Sequence, residues 1–460
     1  MRPESLYGNS TKIRITTVIP VRYYFFYERR VLIMVYVIAK NGQPLMPTEN
    51  HAKVRILLKQ KKAKVLRRCP FTIKLLYDTT HYTQELTLGM DTGSANVGCA
   101  VVDSDRKVYY LSQMTIRNDI KKSMDDRRRY RRSRRNRKTR YRKPRFLNRG
   151  NSRRSDRLPP TMQSKLACHE REIRYIKKIL PVTKLVLETG QFDPHLMKNP
   201  ALANEKIKHW GYQKGTNYGY ANTHDYVLCR DKHTCQYCKG KRKDSKLEVH
   251  HIIFRCNGGS DEESNLITLC HTCHKDLHDG KFALKLNGKK KSALCHATQM
   301  NIIRSQMLKR HPEAIETFGY VTKMNRLALG LSKDHYIDAC VIAGEGRPVY
   351  TGQNVLLYYK VCTTHHDYQK TKGIRSEQKV TTTKIDGFHR YDKVSYFGQE
   401  YFIKGRMSSG YAILMNIHGE KTDFSAMPKG YKTPKLSNCK RLEARGKWMV
   451  ISEAVMLNSK

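Results

Sequence analysis

The sequence predicts an α/β protein built from several domains. At 460 residues the chain exceeds the length of one ordinary domain and can bury several hydrophobic cores. Strand-like patterns occur at residues 86–102 and 184–188, and a helical pattern occurs at residues 333–344, so strands and helices are both expected. Two Cys-x-x-Cys pairs, separated by 31 residues, indicate a small module that a metal ion supports.

A large positive charge limits the classes of partner. The chain has 88 Lys and Arg residues against 40 Asp and Glu, so its net charge is +48 and its pI is near 9.9. This charge favours a polyanionic partner, either nucleic acid or a membrane surface. No apolar run approaches the roughly 20 residues of a membrane-spanning helix, which favours nucleic acid. Thirteen cysteines, nine of them outside the two pairs, indicate a reducing cytoplasmic compartment rather than a disulfide framework.

The two cysteine pairs predict a structural zinc site, because four thiolates satisfy a tetrahedral Zn²⁺ and leave no open position for chemistry. The predicted ligands are Cys235, Cys238, Cys270 and Cys273. The alternative is a plain zinc knuckle with incidental histidines. A knuckle requires neither the adjacent pair His250-His251 nor the spaced pair His274 and His278. The order of cysteines, histidines and asparagine resembles that of a zinc-supported HNH nuclease.

Resemblance to HNH enzymes implies roles within a ββα-metal site. His250 would bind a catalytic Mg²⁺ or Mn²⁺, His251 would be the general base, and Asn265 would orient the loop that carries the base. Adjacent residues of a strand point to opposite sides, so only one of the two histidines can face the ion in regular geometry. His274 and His278 are four residues apart and share one helix face, which suits a common ion. For His278, a solvated helix residue is an equal alternative.

A second catalytic centre is predicted from three separated segments. Asp91 ends the first strand of LTLGMDTGSANVGCAVV, which alone would indicate a plain hairpin. Glu188 ends the short strand KLVLE, and the helical segment KDHYIDACVIAG places His335 and Asp338 on one face. Carboxylates are hard ligands for Mg²⁺ or Mn²⁺, and two such ions can stabilise both oxygens of an in-line phosphoryl displacement. The alternative for Asp338 alone is a solvated helix acid.

The three carboxylates resemble the discontinuous site of a RuvC nuclease with the ribonuclease H fold. This resemblance implies that Asp91, Glu188 and Asp338 are metal ligands and that His335 is an auxiliary ligand or base.

Residues 127–149 hold fourteen Lys or Arg and no acid. We expect a helix here, because Asp125 and Asp126 suit a helix start and Pro144 suits its end. Such a density of like charge repels itself in water and is stable when phosphates surround it. A disordered basic tail is disfavoured by the position of the segment inside a split catalytic domain.

The order of these segments resembles the IscB family, transposon-associated RNA-guided nucleases related to the CRISPR type II effector. A further match is Pro44-Leu45-Met46-Pro47, which resembles the PLMP segment of that family. The resemblance implies a structured guide RNA, a double-stranded DNA target with a short flanking motif, and a monomeric ribonucleoprotein acting in the prokaryotic cytoplasm at the nucleoid. The basic helix would bind the RNA. Its expected contacts are Arg127, Arg128, Arg131, Arg132, Arg134, Arg135, Arg137 and Arg140.

The resemblance further implies that HNH cuts the guide-paired strand and RuvC the displaced strand. Two alternatives are an unguided homing-type or junction-resolving endonuclease, and a nucleic-acid-binding regulator with vestigial sites.

The expected division of the chain begins with an extension at 1–33 before a functional start at Met34, followed by a PLMP domain at 34–85. RuvC segments are expected at 86–124, 150–222 (with a linker) and 297–345, with a bridge helix at 125–149 and the HNH domain at 223–296. A β-barrel-like domain at 346–460 is expected to read the flanking motif.

Overall fold

The computed structural model describes ten stretches of the chain. They are residues 34–136, 157–198, 200–204, 212, 217–284, 294–349, 355–364, 385–407, 409–428 and 430–455. Their strands form four sheets and alternate with helices, which confirms the prediction of a mixed α/β protein. Within these stretches no helix is both long and apolar enough to cross a membrane. The expected extension at 1–33 lies outside the described residues.

The N-terminal unit is a four-stranded sheet with one helix. It consists of β1 (Val35–Ile38), β2 (Pro44–Thr48), α1 (His51–Lys59), β3 (Ala63–Arg67) and β4 (Thr72–Leu75), in the sheet order β2-β1-β4-β3. Asn50 caps α1, because its side chain accepts a hydrogen bond of 2.9 Å from the backbone N–H of Lys53.

A seven-stranded sheet forms the centre of the protein, in the order β11-β8-β5-β6-β7-β12-β17. Its strands are β5 (Leu86–Asp91), β6 (Asn96–Asp103), β7 (Val108–Thr115), β8 (Lys184–Thr189), β11 (Ile315–Phe318), β12 (Val355–Cys362) and β17 (Trp448–Val455). β5, β6 and β7 pair in antiparallel fashion, whereas β8 is parallel to β5, and β11 is parallel to β8. β5 to β7 are buried along almost their whole length, as expected for strands covered on both faces of a sheet.

Six helices accompany this sheet in the described stretches. They are α2 (Ile120–Asn136), α3 (Pro160–Ile176), α4 (Pro194–Lys198), α7 (Leu294–Arg310), α8 (Gly319–Ala328) and α9 (His335–Ala343). α9 lies directly on β5 and β6, where two glycines let its backbone approach. A Cβ atom at Gly89 would lie 2.5 Å from the Ala343 nitrogen, and one at Gly98 only 1.8 Å from the His335 oxygen. Because Gly98 pairs with Asp91 in the sheet, this approach places the start of α9 beside the end of β5.

Two smaller units complete the described structure. The inserted module contains α5 (Thr223–Arg230), β9 (Leu247–His251), β10 (Leu266–Cys270) and α6 (His271–His278), with β9 and β10 antiparallel. The last unit is a sheet of β13 (Lys393–Tyr396), β14 (Gln399–Arg406), β15 (Ala412–Met415) and β16 (Lys440–Glu443), in the order β15-β14-β13-β16. Short 3₁₀ turns occur at Pro200–Ala203, Arg255–Asn257, Glu263–Asn265 and Leu436–Asn438.

The starts of two helices and the arrangement of the last strands differ from the sequence expectations. α2 begins at Ile120 and not at Asp125, because the carbonyl of Asp119 already accepts the first helical hydrogen bond, from the N–H of Ser123 at 2.9 Å. Its expected end at Pro144 lies outside the described residues. α3 begins at Pro160, within the part of segment 150–222 that is expected to be a linker, since Pro160 suits the first turn of a helix. Within residues 346–460, β12 and β17 join the central sheet, and the remaining described strands form an open sheet instead of a barrel.

A buried ion pair ties β12 into the central sheet. Lys360 of β12 and Glu172 of α3 are both 0% exposed, and their Nζ and Oε1 atoms are 2.6 Å apart. Tyr110 and Ser112 of β7 donate further hydrogen bonds to the same carboxylate oxygen, at 2.9 and 2.8 Å. These contacts pair the Lys360 ammonium with one oxygen of Glu172, whose Oε2 has no partner in the described structure, and they join three elements that are far apart in the sequence.

We expect Lys360→Met to destabilise the protein strongly, because it leaves the Glu172 carboxylate buried without a cation. Breaking one side of a buried pair typically costs about 3–5 kcal/mol. The measurement is the thermal unfolding temperature. Lys360→Met with Glu172→Gln should recover much of the loss. The control Lys40→Met, which breaks the exposed pair with Asp78, should change the unfolding temperature little. Equal effects of Lys360→Met and Lys40→Met would contradict the argument.

Candidate active sites

The four predicted zinc ligands converge in the inserted module. Cys235 and Cys238 lie in the turns after α5, Cys270 ends β10, and Cys273 lies in the first turn of α6. Their sulfur atoms all lie within 4.8 Å of one another, and the Sγ atoms of Cys238 and Cys270 are 3.9 Å apart. Tetrahedral zinc, with Zn–S bonds of about 2.3 Å, separates its sulfurs by about 3.8 Å. The four thiols can therefore hold a zinc ion.

Three histidines of the same module form a second cluster. A ring nitrogen of His250 on β9 lies within 4.8 Å of ring nitrogens of His274 and His278 on α6, and the Nε2 atoms of His274 and His278 are 3.2 Å apart. Burial is the main cause that lowers the pKa of His250 to about 4, so its ring is neutral at neutral pH. Its buried Nε2 has no hydrogen-bond partner in the described structure. The three imidazole donors fit a divalent metal, and the position of His278 favours the ligand interpretation.

Two carboxylates that the sequence did not single out, Glu248 and Asp261, contact His274 of this cluster and the neighbouring His251. One Glu248 oxygen lies 2.6 Å from His274 Nδ1. Asp261 Oδ1 lies 2.9 Å from His251 Nε2 and 2.7 Å from Arg255 Nε. Carboxylates in such positions fix the ring orientation and the tautomer of a metal-binding or catalytic histidine.

His250 and His251 face different surroundings, as their adjacent positions on β9 require. His250 joins the histidine cluster, whereas His251 faces Asp261.

Asn265 fixes the loop that follows His251. Its side chain is completely buried, accepts a hydrogen bond from the Ile253 N–H at 3.0 Å, and donates to the carbonyls of Ile253 and Ser260 at 3.0 and 2.8 Å. Because Ser260 precedes Asp261, these bonds hold both His251 and its carboxylate partner in place.

The predicted carboxylates of the second centre lie at the end of β5 and on two adjacent elements. Asp91 and Glu188 are register partners on the parallel strands β5 and β8. His335, the first residue of α9, places its Nδ1 2.6 Å from Asp91 Oδ2. Asp338 lies one turn further along α9 and faces Arg326, with 2.8 Å between Oδ1 and Nε. Across the described residues, these four groups are less tightly gathered than the cysteine or the histidine cluster.

The electrostatics of this centre fit a divalent cation. Burial, followed by repulsion from Asp91, raises the pKa of Glu188 to about 7, and the same two causes raise the pKa of Asp338. Glu188 Oε2 is buried and has no hydrogen-bond partner in the described structure. The hydrogen bond with Asp91 raises the pKa of His335. An orphaned carboxylate oxygen among mutually repelling acids is suited to Mg²⁺ or Mn²⁺.

Arg326 is the main residue of this centre that the sequence did not reveal. It is buried on α8, and its Nη1 also donates to the Leu331 carbonyl at 3.2 Å. Arg326 therefore joins Asp338 to the turn that precedes α9. The segment RLALGLSK contains no local pattern that identifies this arginine, so only the fold reveals its partner.

A polar cluster links the inserted module's return segment to the second centre. Ser94, three residues after Asp91, places its Oγ 2.7 Å from Nδ1 of His296 on α7. Buried Lys165 donates to the Ser94 carbonyl, and His169 Nδ1 lies 2.9 Å from the Lys165 carbonyl oxygen. The first turn of α7 is thus bonded to the loop that follows Asp91.

His169 is expected to make stability depend on pH. Burial is the main cause that lowers its pKa to about 4, below the 6.5 of an unfolded histidine. The unfolded chain therefore binds the proton first, so stability is full above pH 6.5 and falls as pH drops toward 4, by about 3 kcal/mol. Unfolding temperatures at several pH values measure this slope. His169→Gln should flatten it, whereas the exposed-site control His224→Gln should not; parallel slopes for all three proteins would refute the assignment.

Of the predicted RNA-binding arginines, those whose side chains are described lie exposed on α2. They are Arg127, Arg128, Arg131 and Arg132. Arg134 and Arg135 belong to α2, but only their backbone is described, and Arg137 and Arg140 lie outside the described residues.

Comparisons with known proteins identify two regions of the chain. Residues 35–215 match the family model described as RRXRR protein, and Arg131-Arg132-Ser133-Arg134-Arg135 has that pattern. Residues 235–280 match the model described as HNH endonuclease, which agrees with the sequence prediction for this module. The chain therefore contains an HNH endonuclease domain preceded by an RRXRR domain, which supports a nuclease.

Two relatives are similar to short parts of the chain. The type IV methyl-directed restriction enzyme EcoKMcrA of Escherichia coli is 37% identical over 68 residues, which are 13% of this chain and 24% of that enzyme. Anaredoxin of Nostoc is 29% identical over 70 residues, which are 15% of this chain and 90% of that protein. The match thus spans only about a quarter of the restriction enzyme.

Proposed function

We propose that the protein is an RNA-guided, metal-dependent DNA endonuclease of the IscB type, in which the HNH module cuts the guide-paired strand and a RuvC-like centre cuts the displaced strand. The observation that carries this proposal is that one strongly basic chain has two separate clusters of potential metal ligands, the histidines of the HNH module and the carboxylates beside β5, with no residue in common. Two centres suit a duplex whose strands have been separated, because each strand then needs its own site.

The RuvC-like assignment is supported by the way the chain assembles its second centre. Asp91, Glu188 and Asp338 come from segments separated by the arginine-rich helix and by the HNH module, yet they lie on β5, β8 and α9, which pack together. A divalent ion held by these carboxylates would stabilise the charge on attacking and leaving oxygens. His335 can hold or accept a proton beside Asp91, and Arg326 fixes the orientation of Asp338.

In the HNH module, the proposed roles follow from the contacts of each histidine. His250, His274 and His278 would hold one Mg²⁺ or Mn²⁺, which would polarise the scissile phosphate. The Nε2–H of His251 donates to Asp261, which leaves the Nδ1 lone pair to take a proton from the attacking water. The zinc cysteines would act only through the fold of the module.

The arginine-rich helix is the proposed contact with guide RNA. Its described arginines are exposed, and it packs against α3 beside the central sheet. Phosphate contacts make affinity fall with salt by about 0.7–0.9 log units per log unit of salt for each contacted phosphate. Replacing Arg131, Arg134 and Arg135 by Ala should weaken RNA binding and lower this slope by about 2. The control is the replacement of Lys59, Lys62 and Lys64 by Ala, which removes equal charge from an exposed part of the N-terminal unit.

A second candidate is an unguided endonuclease, favoured by the similarity to a restriction enzyme that its name describes as methyl-directed.

The test is to express the protein together with its own flanking DNA, purify it, and sequence the bound RNA. The proposal expects a discrete RNA encoded beside the gene and cutting of both strands only in targets that match its guide end. Random RNA fragments, or cutting that does not follow the guide sequence, would establish the unguided alternative.

A further inference from the structure

A cavity with aromatic walls lies directly beside Glu188. Its volume is about 590 Å³, within the range of sites that hold small organic groups. The wall includes Glu188 together with Phe192, Met300, Phe318 and Tyr320. The proposed catalytic carboxylate and three aromatic rings therefore share one space.

Two of the three rings are exposed and Phe318 is half-buried, which distinguishes them from a hydrophobic core. Phe192 is 40% exposed and Tyr320 is 67% exposed. The rings of Phe318 and Tyr320 are nearly parallel, with an angle of 9° and 6.1 Å between centroids. Flat and similarly oriented rings that reach the surface offer faces on which another planar group can stack.

The side chain of Asn301 holds the backbone of Phe192 through two hydrogen bonds. The side chain of Asn301 on α7 accepts from the Phe192 N–H at 2.9 Å and donates to the Phe192 carbonyl at 2.7 Å. The Phe192 ring lies over Gly190, where a Cβ atom would come within 2.5 Å of it. The hydrogen bonds fix the backbone of Phe192, and the contact with Gly190 gives its ring a place to pack, so less ordering is required when a ligand binds.

On these observations we propose that the cavity binds an unstacked nucleobase of single-stranded DNA, next to the phosphate that the Asp91–Glu188 centre hydrolyses. The ligand class follows from the chemistry of the walls. Every base has an aromatic face and stacks on exposed rings without regard to sequence, whereas bases within a duplex are already stacked on one another. This inference rests on the proposed cutting of the displaced strand by the Asp91–Glu188 centre. It adds a site beside Glu188 where an unstacked base of that strand binds.

The experiment detects stacking independently of cleavage. Single-stranded DNA carrying 5-iodo-2′-deoxyuridine is irradiated with the full-length Asp91→Ala protein, and mass spectrometry maps the cross-linked residues. We expect cross-links at Phe192 or Tyr320. In this background Tyr320→Ala should reduce the cross-link yield on the order of 5- to 150-fold, as expected for a lost stacking contact of about 1–3 kcal/mol. Tyr320→Phe, which keeps the ring, should retain it.

Met324→Ala is the matched control, because Met324 is equally exposed on α8 and is not part of the cavity wall. In the Asp91-containing protein, Tyr320→Ala should slow cutting of the displaced strand and leave cutting of the guide-paired strand unchanged. Cross-links that avoid the cavity, or equal effects of Tyr320→Ala and Met324→Ala, would overturn the stacking proposal. A different outcome would contradict the proposed guided nuclease activity. In that case the wild-type protein would cut neither strand of a guide-matched target, whatever cross-links the single-stranded DNA forms.

Discussion

Asp91→Ala is expected to stop cutting of the displaced strand while the guide-paired strand is still cut, and His251→Ala is expected to do the reverse. Each variant should therefore nick a guide-matched duplex instead of breaking it. The physical reason is that the two centres share no ligand and no hydrogen bond in the described structure. Loss of a general base typically costs 10²–10⁴-fold in rate, and Asp91 is both a proposed metal ligand and the partner of His335.

The measurement is single-turnover cutting of a duplex labelled differently on its two strands. Asp105→Ala and His224→Ala are matched controls, since both replace exposed side chains of the same types away from the two centres. They should cut both strands at the wild-type rate. Loss of all cutting in both Asp91→Ala and His251→Ala would show that the two centres act as one unit and would contradict the assignment.

The sequence predicted which candidate residues lie together better than it predicted the contacts that orient them. Strand patterns placed Asp91 and Glu188 correctly toward the ends of β5 and β8, because apolar periodicity is local, whereas the helical pattern expected from residue 333 begins only at His335. Arg326 and Asp261 could not be identified in this way. Each is an ordinary charged residue in its own segment, and its role depends on a partner that the tertiary fold brings near.

The central sheet shows the same limit on a larger scale. The hairpin of β5 and β6 follows from its alternation and turn residues, whereas no local signal reveals that β12 and β17 extend the sheet. Their places depend on long-range partners, including the buried pair of Lys360 with Glu172, which lies 188 residues earlier in the chain. Strand order across such distances is decided by packing and not by propensity.

Cys235→Ser is expected to remove zinc from the protein and to stop cutting of the guide-paired strand while displaced-strand cutting continues. Cys235 is buried in the four-sulfur cluster, and the backbone N–H of Gln236 donates to the Thr268 carbonyl of β10 at 2.9 Å. Loss of one thiolate should therefore loosen the strand that pairs with β9, which carries His250 and His251. Zinc binding supplies folding free energy in small modules of this kind, so the effect acts on structure and not on chemistry.

Zinc content and limited proteolysis distinguish this variant from His251→Ala. His251→Ala should keep one zinc per chain and a protease-resistant module, whereas Cys235→Ser should lose both. Cys229→Ser is the control, because Cys229 is an exposed cysteine of the same module outside the cluster. Full zinc content in Cys235→Ser would exclude a four-cysteine site. Zinc loss with an intact, fully active module would show instead that packing alone holds β9 and β10 in register.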